Sequence, residues 1–137
     1  MLRSIAAVAA GFVVIFLLAT GTDLGIKSAF PAMFGPGGRV DSVPLLLATN
    51  LYVFVFATFG CWLTARLAPA RPMLHATILG GLGLAFNILG SAMMWDAAPV
   101  WYHALAIAMT LPAAWLGGWI RERQLARAGG EARLATA

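Results

Sequence analysis

The chain has 137 residues, of which 61% are hydrophobic and only 10% charged, with a mean hydropathy of +0.87. Soluble domains carry about a quarter charged residues, and a soluble core of this size cannot hide so much apolar surface, so water-soluble classes are excluded. The net charge of +4 comes from basic residues at the ends of apolar blocks; they form no patch or aromatic-interleaved stripe, which argues against nucleic acid as a partner.

The apolar residues fall into four blocks, about Ile5–Thr22, Val43–Ala65, Met73–Trp95 and Val100–Ile120. Each is about 18 to 23 residues long, enough at about 1.5 Å per helical residue to span the ~30 Å hydrocarbon layer. Lipid offers no hydrogen-bond partners, so each block must be helical. The expected fold is all-α: a polytopic membrane protein built as an antiparallel four-helix transmembrane bundle. Residues 1–127 form its single domain and 128–137 a flexible tail.

The first span begins after the basic Met1-Leu2-Arg3, and Ala19-Thr20-Gly21 loosely resembles the cleavage site of a signal peptide. Retention of this span is the preferred reading, because an even number of spans matches basic residues at both ends. Ser4, Ala7 and Gly11 begin a stripe of small residues along it. The outer loop, residues 23–42, alone has room for structure of its own. Its Leu24, Ile26, Phe30, Met33 and Phe34 are read as lying on the leaflet surface, where they form a candidate contact for a partner. Gly35-Pro36-Gly37-Gly38 then turns the chain toward the second span, which Pro44 enters in its first turn.

In the second span Asn50, Phe54, Ala57, Cys61 and Thr64 form the smaller, more polar face. Cys61 is the only cysteine, so there is no intramolecular disulfide and no thiolate cluster. Pro69 and Pro72 mark a tight turn into the third span, where His75 lies beside Arg71 at the interface and Ala76, Gly80, Gly83, Asn87 and Gly90 line one face. After the short link Asp96–Pro99, the fourth span repeats the pattern with His103, Ala106, Thr110, Ala113 and Gly117, and Pro112 is expected to bend it. In lipid such faces matter because they admit close backbone approach and interhelical hydrogen bonds. Gly11, Gly80, Gly83, Gly90 and Gly117 are the expected packing positions; the plainer reading is that glycine is common in membrane helices.

Arg3, Arg66, Arg71, Arg121, Arg123, Arg127 and Arg133 fall on one side of the membrane, against Lys27 and Arg39 on the other. The positive-inside rule then puts both termini in the cytoplasm. Trp95, Trp101 and Tyr102 belong to the outer interface and Trp62, Trp115 and Trp119 to the inner one.

Polar residues are the only candidates for chemistry. Asn50 and Asn87 both sit about 10–12 Å below the outer surface by helical rise, a shared depth at which they are expected to bond each other. His103 is about 5 Å deep, with Asp23 and Asp96 at the outer mouth. Asp23, Asn50, Asn87, Asp96 and His103 thus define a candidate outer-facing polar pocket. In the plainer reading the asparagines join helices and the other three are wetted interfacial residues. The spacing supports no metal site, and there is no P-loop, dinucleotide fingerprint or Ser-His-Asp order. No catalytic residue, metal or cofactor is expected, and the chain does not read as an enzyme.

The segments Trp62-Leu63-Thr64-Ala65-Arg66-Leu67-Ala68-Pro69, Arg71-Pro72-Met73-Leu74-His75-Ala76, Trp101-Tyr102-His103-Ala104-Leu105 and Pro112-Ala113-Ala114-Trp115-Leu116-Gly117-Gly118 resemble a family of small bacterial four-span proteins usually described only as hypothetical membrane proteins. The resemblance covers spans two to four. It implies a bacterial inner-membrane address and four helices, and carries no activity. Small multidrug transporters are similar in size and span number, but they need an acidic residue within the first span; here Asp23 comes only at its end. Two function classes follow. One is an accessory, assembly or scaffold protein that meets other membrane subunits or copies of itself. The other is a small-solute or ion transporter using the outer pocket.

Overall fold

The computed structural model describes the backbone of residues 2–35 and 38–135, with side chains as far as Gly129. Four helices follow one another: α1 (Leu2–Ala29), α2 (Val43–Leu67), α3 (Pro72–Met93) and α4 (Val100–Ala135). Short 3-10 turns at Pro31–Met33 and Trp95–Ala97 interrupt the first and third connections. All four helices are long and apolar enough to cross a membrane, with mean hydropathies from 1.3 to 2.3 over their most apolar windows. The chain is a multi-pass, all-α membrane bundle. One end carries the long α1–α2 connection and the α3–α4 link, and is called the loop end below. The other carries the helix termini at Leu2 and the tight α2–α3 turn.

Proline sets most boundaries. α2 and α3 both carry a proline in the first turn, where the missing N–H has no intrahelical partner to lose. α2 ends because Ala68 precedes Pro69 and is driven into an extended conformation, ψ 133°. Arg71 then turns the chain with a left-handed φ of 49°, the single non-glycine residue with positive φ among the described residues.

Two boundaries differ from the sequence expectation. Leu24–Ala29 is not a segment separate from the first span; it continues α1 to a length of 28 residues, about 42 Å. Nothing in the segment stops the helix, since Gly21 and Gly25 each cost only about 1 kcal/mol relative to alanine. The first real break is Phe30, which leaves the helical region ahead of Pro31 (φ −131°, ψ 57°). At the other end, the segment read as a tail is a continuation of α4 through Ala135, for alanine, arginine, glutamate and leucine all favour helix. Within the expected Gly35–Gly38 turn, Pro36 and Gly37 lie outside the described residues, as do Thr136 and Ala137 of the tail.

Close packing depends on small residues. α1 crosses α2 where Gly11 meets Gly60: a Cβ added at Gly11 would lie 2.7 Å from the Gly60 carbonyl oxygen and 2.8 Å from Leu79 Cδ2, and would collide with Thr64 Oγ1. Thr64, wholly buried, donates its hydroxyl to the Ala7 carbonyl at 3.1 Å across the same crossing. α4 crosses α2 at Gly117, where a Cβ would lie 2.5 Å from the Thr58 oxygen and 2.7 Å from the Trp62 nitrogen. It crosses α3 where Gly80 faces Ala114 and Gly118 faces Met73 and Ala76. A compact cluster of Cys61, Ala65, Ala76, Leu79 and Ala114 fills the centre. α4 packs extensively on both α2 and α3, whereas α1 packs on α2 and only lightly on α3.

The loop end is tied together by the first and third connections. Val40 N–H donates to the Ala97 carbonyl at 2.9 Å, and Arg39 reaches the Asp96 carbonyl at 3.1 Å while also pairing with Asp41 at 3.0 Å.

Candidate functional site

The five residues expected to make one polar pocket are spread over separate arrangements. Asp23, near the end of α1, is exposed and accepts a hydrogen bond from the Tyr52 hydroxyl on α2. Asp96 lies exposed on the α3–α4 link, and its bond to the rest of the fold runs through its backbone carbonyl to Arg39.

The asparagines do not pair with each other. Asn50 is buried on α2 and donates to the Leu46 carbonyl of its own helix at 3.2 Å. Asn87 on α3 donates to α4, at 3.2 Å from the Ala106 carbonyl and 3.1 Å from Thr110 Oγ1. Depth alone made the two look like partners. Which neighbour each faces is set by the rotation of its helix, and Asn87 continues the Gly80–Gly83 stripe that α3 turns toward α4, with Gly83 3.6 Å from Thr110 Cγ2 by the same added-Cβ measure. Gly90, the last member of that stripe, faces open space: an added Cβ there would meet nothing within 4 Å.

His103 is 5% exposed, and its ring stacks on Trp95 with 5.2 Å between centroids and 13° between planes. Its Nε2 is buried without a hydrogen-bond partner. A neutral imidazole can hide an unmet nitrogen at a cost of about 1–3 kcal/mol, which stacking against an indole partly offsets. Among the described residues no three His, Cys, Asp or Glu side chains gather where they could hold a metal ion.

The five loop residues also divide. Leu24 is 63% exposed and Ile26 half-buried on the last turns of α1, while Phe30, Met33 and Phe34 belong to the turn that follows.

Several contacts went unmarked in the sequence reading. Tyr52 is the partner of Asp23, and Gly60 and Gly118 are packed about as closely as Gly80 and Gly117. Toward the termini, Trp62 Nε1 donates to Gln124 Oε1 at 3.1 Å, and Arg66 and Arg123 cover the faces of Trp62 and Trp119 at 5.3 and 4.6 Å. The sequence signal was their i, i+4 spacing on one helix, Trp62 to Arg66 and Trp119 to Arg123. Finally, an open apolar cleft of about 480 Å³ runs between α1 and α3, walled by Ile5, Val8, Phe12, Ile78, Leu82 and Phe86, with Ser4 and His75 near its terminal end.

Compared with family models, with curated proteins and with solved structures, the chain shows no match.

Proposed function

We propose that this protein is a non-catalytic bundle of a bacterial inner membrane, with both termini cytoplasmic, that serves as an accessory, assembly or scaffold component. The observation that carries this reading is the state of α1. Of its 28 residues only Ala7 and Gly11 are buried, while Phe16, Leu17 and Leu24 are more than half exposed. A span so lightly held is suited to receive a transmembrane helix of another subunit, since helix association in lipid depends on packing and not on water exclusion. The polar side chains within the membrane support the same reading. Asn87 and Thr64 join helices, and Thr49, Thr58 and Thr77 return their hydroxyls to their own helix carbonyls, so each of these groups already has a partner within the bundle. Native purification in mild detergent, followed by identification of what accompanies the chain, tests the proposal. Replacing Phe30 and Phe34 together with Ser should release that companion and leave the bundle folded.

One observation favours the second reading, a transporter of a small solute or ion. The buried, unpartnered His103 Nε2 is the kind of intramembrane polar group that marks a pathway. Under that reading Asp23→Asn with His103→Ala abolishes flux in proteoliposomes. Robust flux from the purified chain, lost in that double variant, would overturn the scaffold proposal.

A further inference from the structure

We propose that the cleft between α1 and α3 is a binding site for one acyl chain of an anionic phospholipid, whose headgroup is held at the terminal end by Arg3, Arg71, Ser4 and His75. This goes beyond the accessory role and does not depend on it, because the cleft lies on the terminal half of α1, before the exposed Phe16, Leu17 and Leu24 in the helix.

Three features of the cleft select this occupant. The first is its length. Its walls run from Ser4 to Val13 on α1 and from His75 to Phe86 on α3, about 14 and 16 Å by helical rise. A hydrocarbon layer of about 30 Å has leaflets of about 15 Å, so the cleft is one leaflet deep. Phe12 and Phe86 meet near its far end with ring centroids 5.3 Å apart. A lipid tail ends at that level, whereas a transmembrane helix must continue through the second leaflet and would run into those rings.

The second feature is polarity along the cleft. Between Ile5 and Phe86 the lining is apolar, and polar side chains occur only at the terminal end, as Ser4 and His75. That is the order of groups in a phospholipid, tail first and headgroup last. His75 is only 9% exposed, and its Nδ1 donates to the Arg71 carbonyl at 3.1 Å. This bond orients the ring and leaves Nε2 as an acceptor, suited to a hydroxyl of a glycerol headgroup.

The third is charge. Arg3 stands one residue before Ser4, and Arg71 begins the turn that leads into α3. Both are exposed, Arg3 next in the chain to the lining residue Ser4 and Arg71 joined through its carbonyl to the lining residue His75. Of the five acidic residues, Asp23, Asp41 and Asp96 are at the opposite, loop end, and Glu122 and Glu131 are on α4, which contributes no wall to the cleft. Basic pockets between membrane helices are recognised acceptors of anionic headgroups.

The test is native mass spectrometry of the full chain in mixed micelles carrying dioleoyl phosphatidylglycerol and dioleoyl phosphatidylcholine in equal amounts. Each basic residue near a membrane surface favours an anionic lipid about five-fold, so Arg3 and Arg71 together should give phosphatidylglycerol about a 25-fold preference. One lipid per chain should be retained. R71Q should lower the preference to about five-fold, while A9F, which fills the cleft from an exposed position on α1, should remove retention of both lipids. L82W fills it from the α3 wall and gives the same loss independently, should A9F fail to fold. Equal retention of the two lipids, an unchanged preference in R71Q, or undiminished retention in folded A9F or L82W would overturn the proposal. So would disulfide-linked dimers through A9C, in a C61A background, forming faster than through the outward-facing L17C, since a second copy would then occupy the cleft.

Discussion

Gly11→Ala offers the sharpest test of how the bundle is held. The added methyl group would sit 2.7 Å from the Gly60 carbonyl oxygen and 2.8 Å from Leu79 Cδ2, and would overlap Thr64 Oγ1. Two of these three obstacles are a backbone atom and a hydroxyl already committed to the Ala7 carbonyl, so α1 must move away from α2. Overpacking of this kind costs about 1–3 kcal/mol. Loss of the Thr64 bond adds about 0.6 kcal/mol, with an upper bound near 1.7. Alanine's better helix propensity returns at most about 1 kcal/mol. The expected net destabilisation is about 1–4 kcal/mol, measured by reversible unfolding in mixed micelles with tryptophan fluorescence as the probe. Gly81→Ala is the matched control, because its methyl would meet nothing within 4 Å, and it should be neutral or stabilising by up to about 1 kcal/mol. If Gly11→Ala were as stable as Gly81→Ala, the glycine contact would not be what sets the α1–α2 distance.

The remaining expectations are more local. A double-mutant cycle between Asn87→Leu and Thr110→Val should show coupling of about 0.6 kcal/mol, while the cycle between Asn87→Leu and Asn50→Leu should be additive within about 0.5 kcal/mol; coupling in the second pair and none in the first would reverse the assignment of Asn87 to α4. Arg71→Val should be less stable than Arg71→Gly by at least about 1 kcal/mol, since a β-branched side chain resists the left-handed φ of 49° that glycine adopts without penalty. Equal stabilities would mean the turn relaxes to another conformation. Cys61, 2% exposed at the centre of the bundle, should react with a maleimide no faster than the chain unfolds; immediate labelling of the folded protein would contradict that packing. For the proposed orientation, a membrane-impermeant thiol reagent in intact cells should reach Ser28→Cys and not Ala128→Cys, both in a Cys61→Ala background, and the opposite pattern would invert it.

Sequence alone was enough for the helices and not for their partners. Four apolar blocks of membrane length imply four helices whatever surrounds them, because lipid leaves the backbone no other way to satisfy its hydrogen bonds. The small faces of the spans were equally legible as periodic stripes, and proline placed the α2–α3 turn. Where no breaker stood, the boundary was misjudged: hydropathy falls at Asp23, but hydropathy does not end a helix, and α1 runs on to Ala29. Depth in the membrane can be counted along a chain, whereas azimuth cannot. Asn50 and Asn87 share a level, yet the rotation of α3 gives Asn87 to Thr110 and Ala106 of α4. The stacking of His103 on Trp95 and the α1–α3 cleft belong wholly to tertiary structure. Gly11 and Gly60 draw α1 onto α2 and leave it standing off α3, and the space that results has no signature in any residue that lines it.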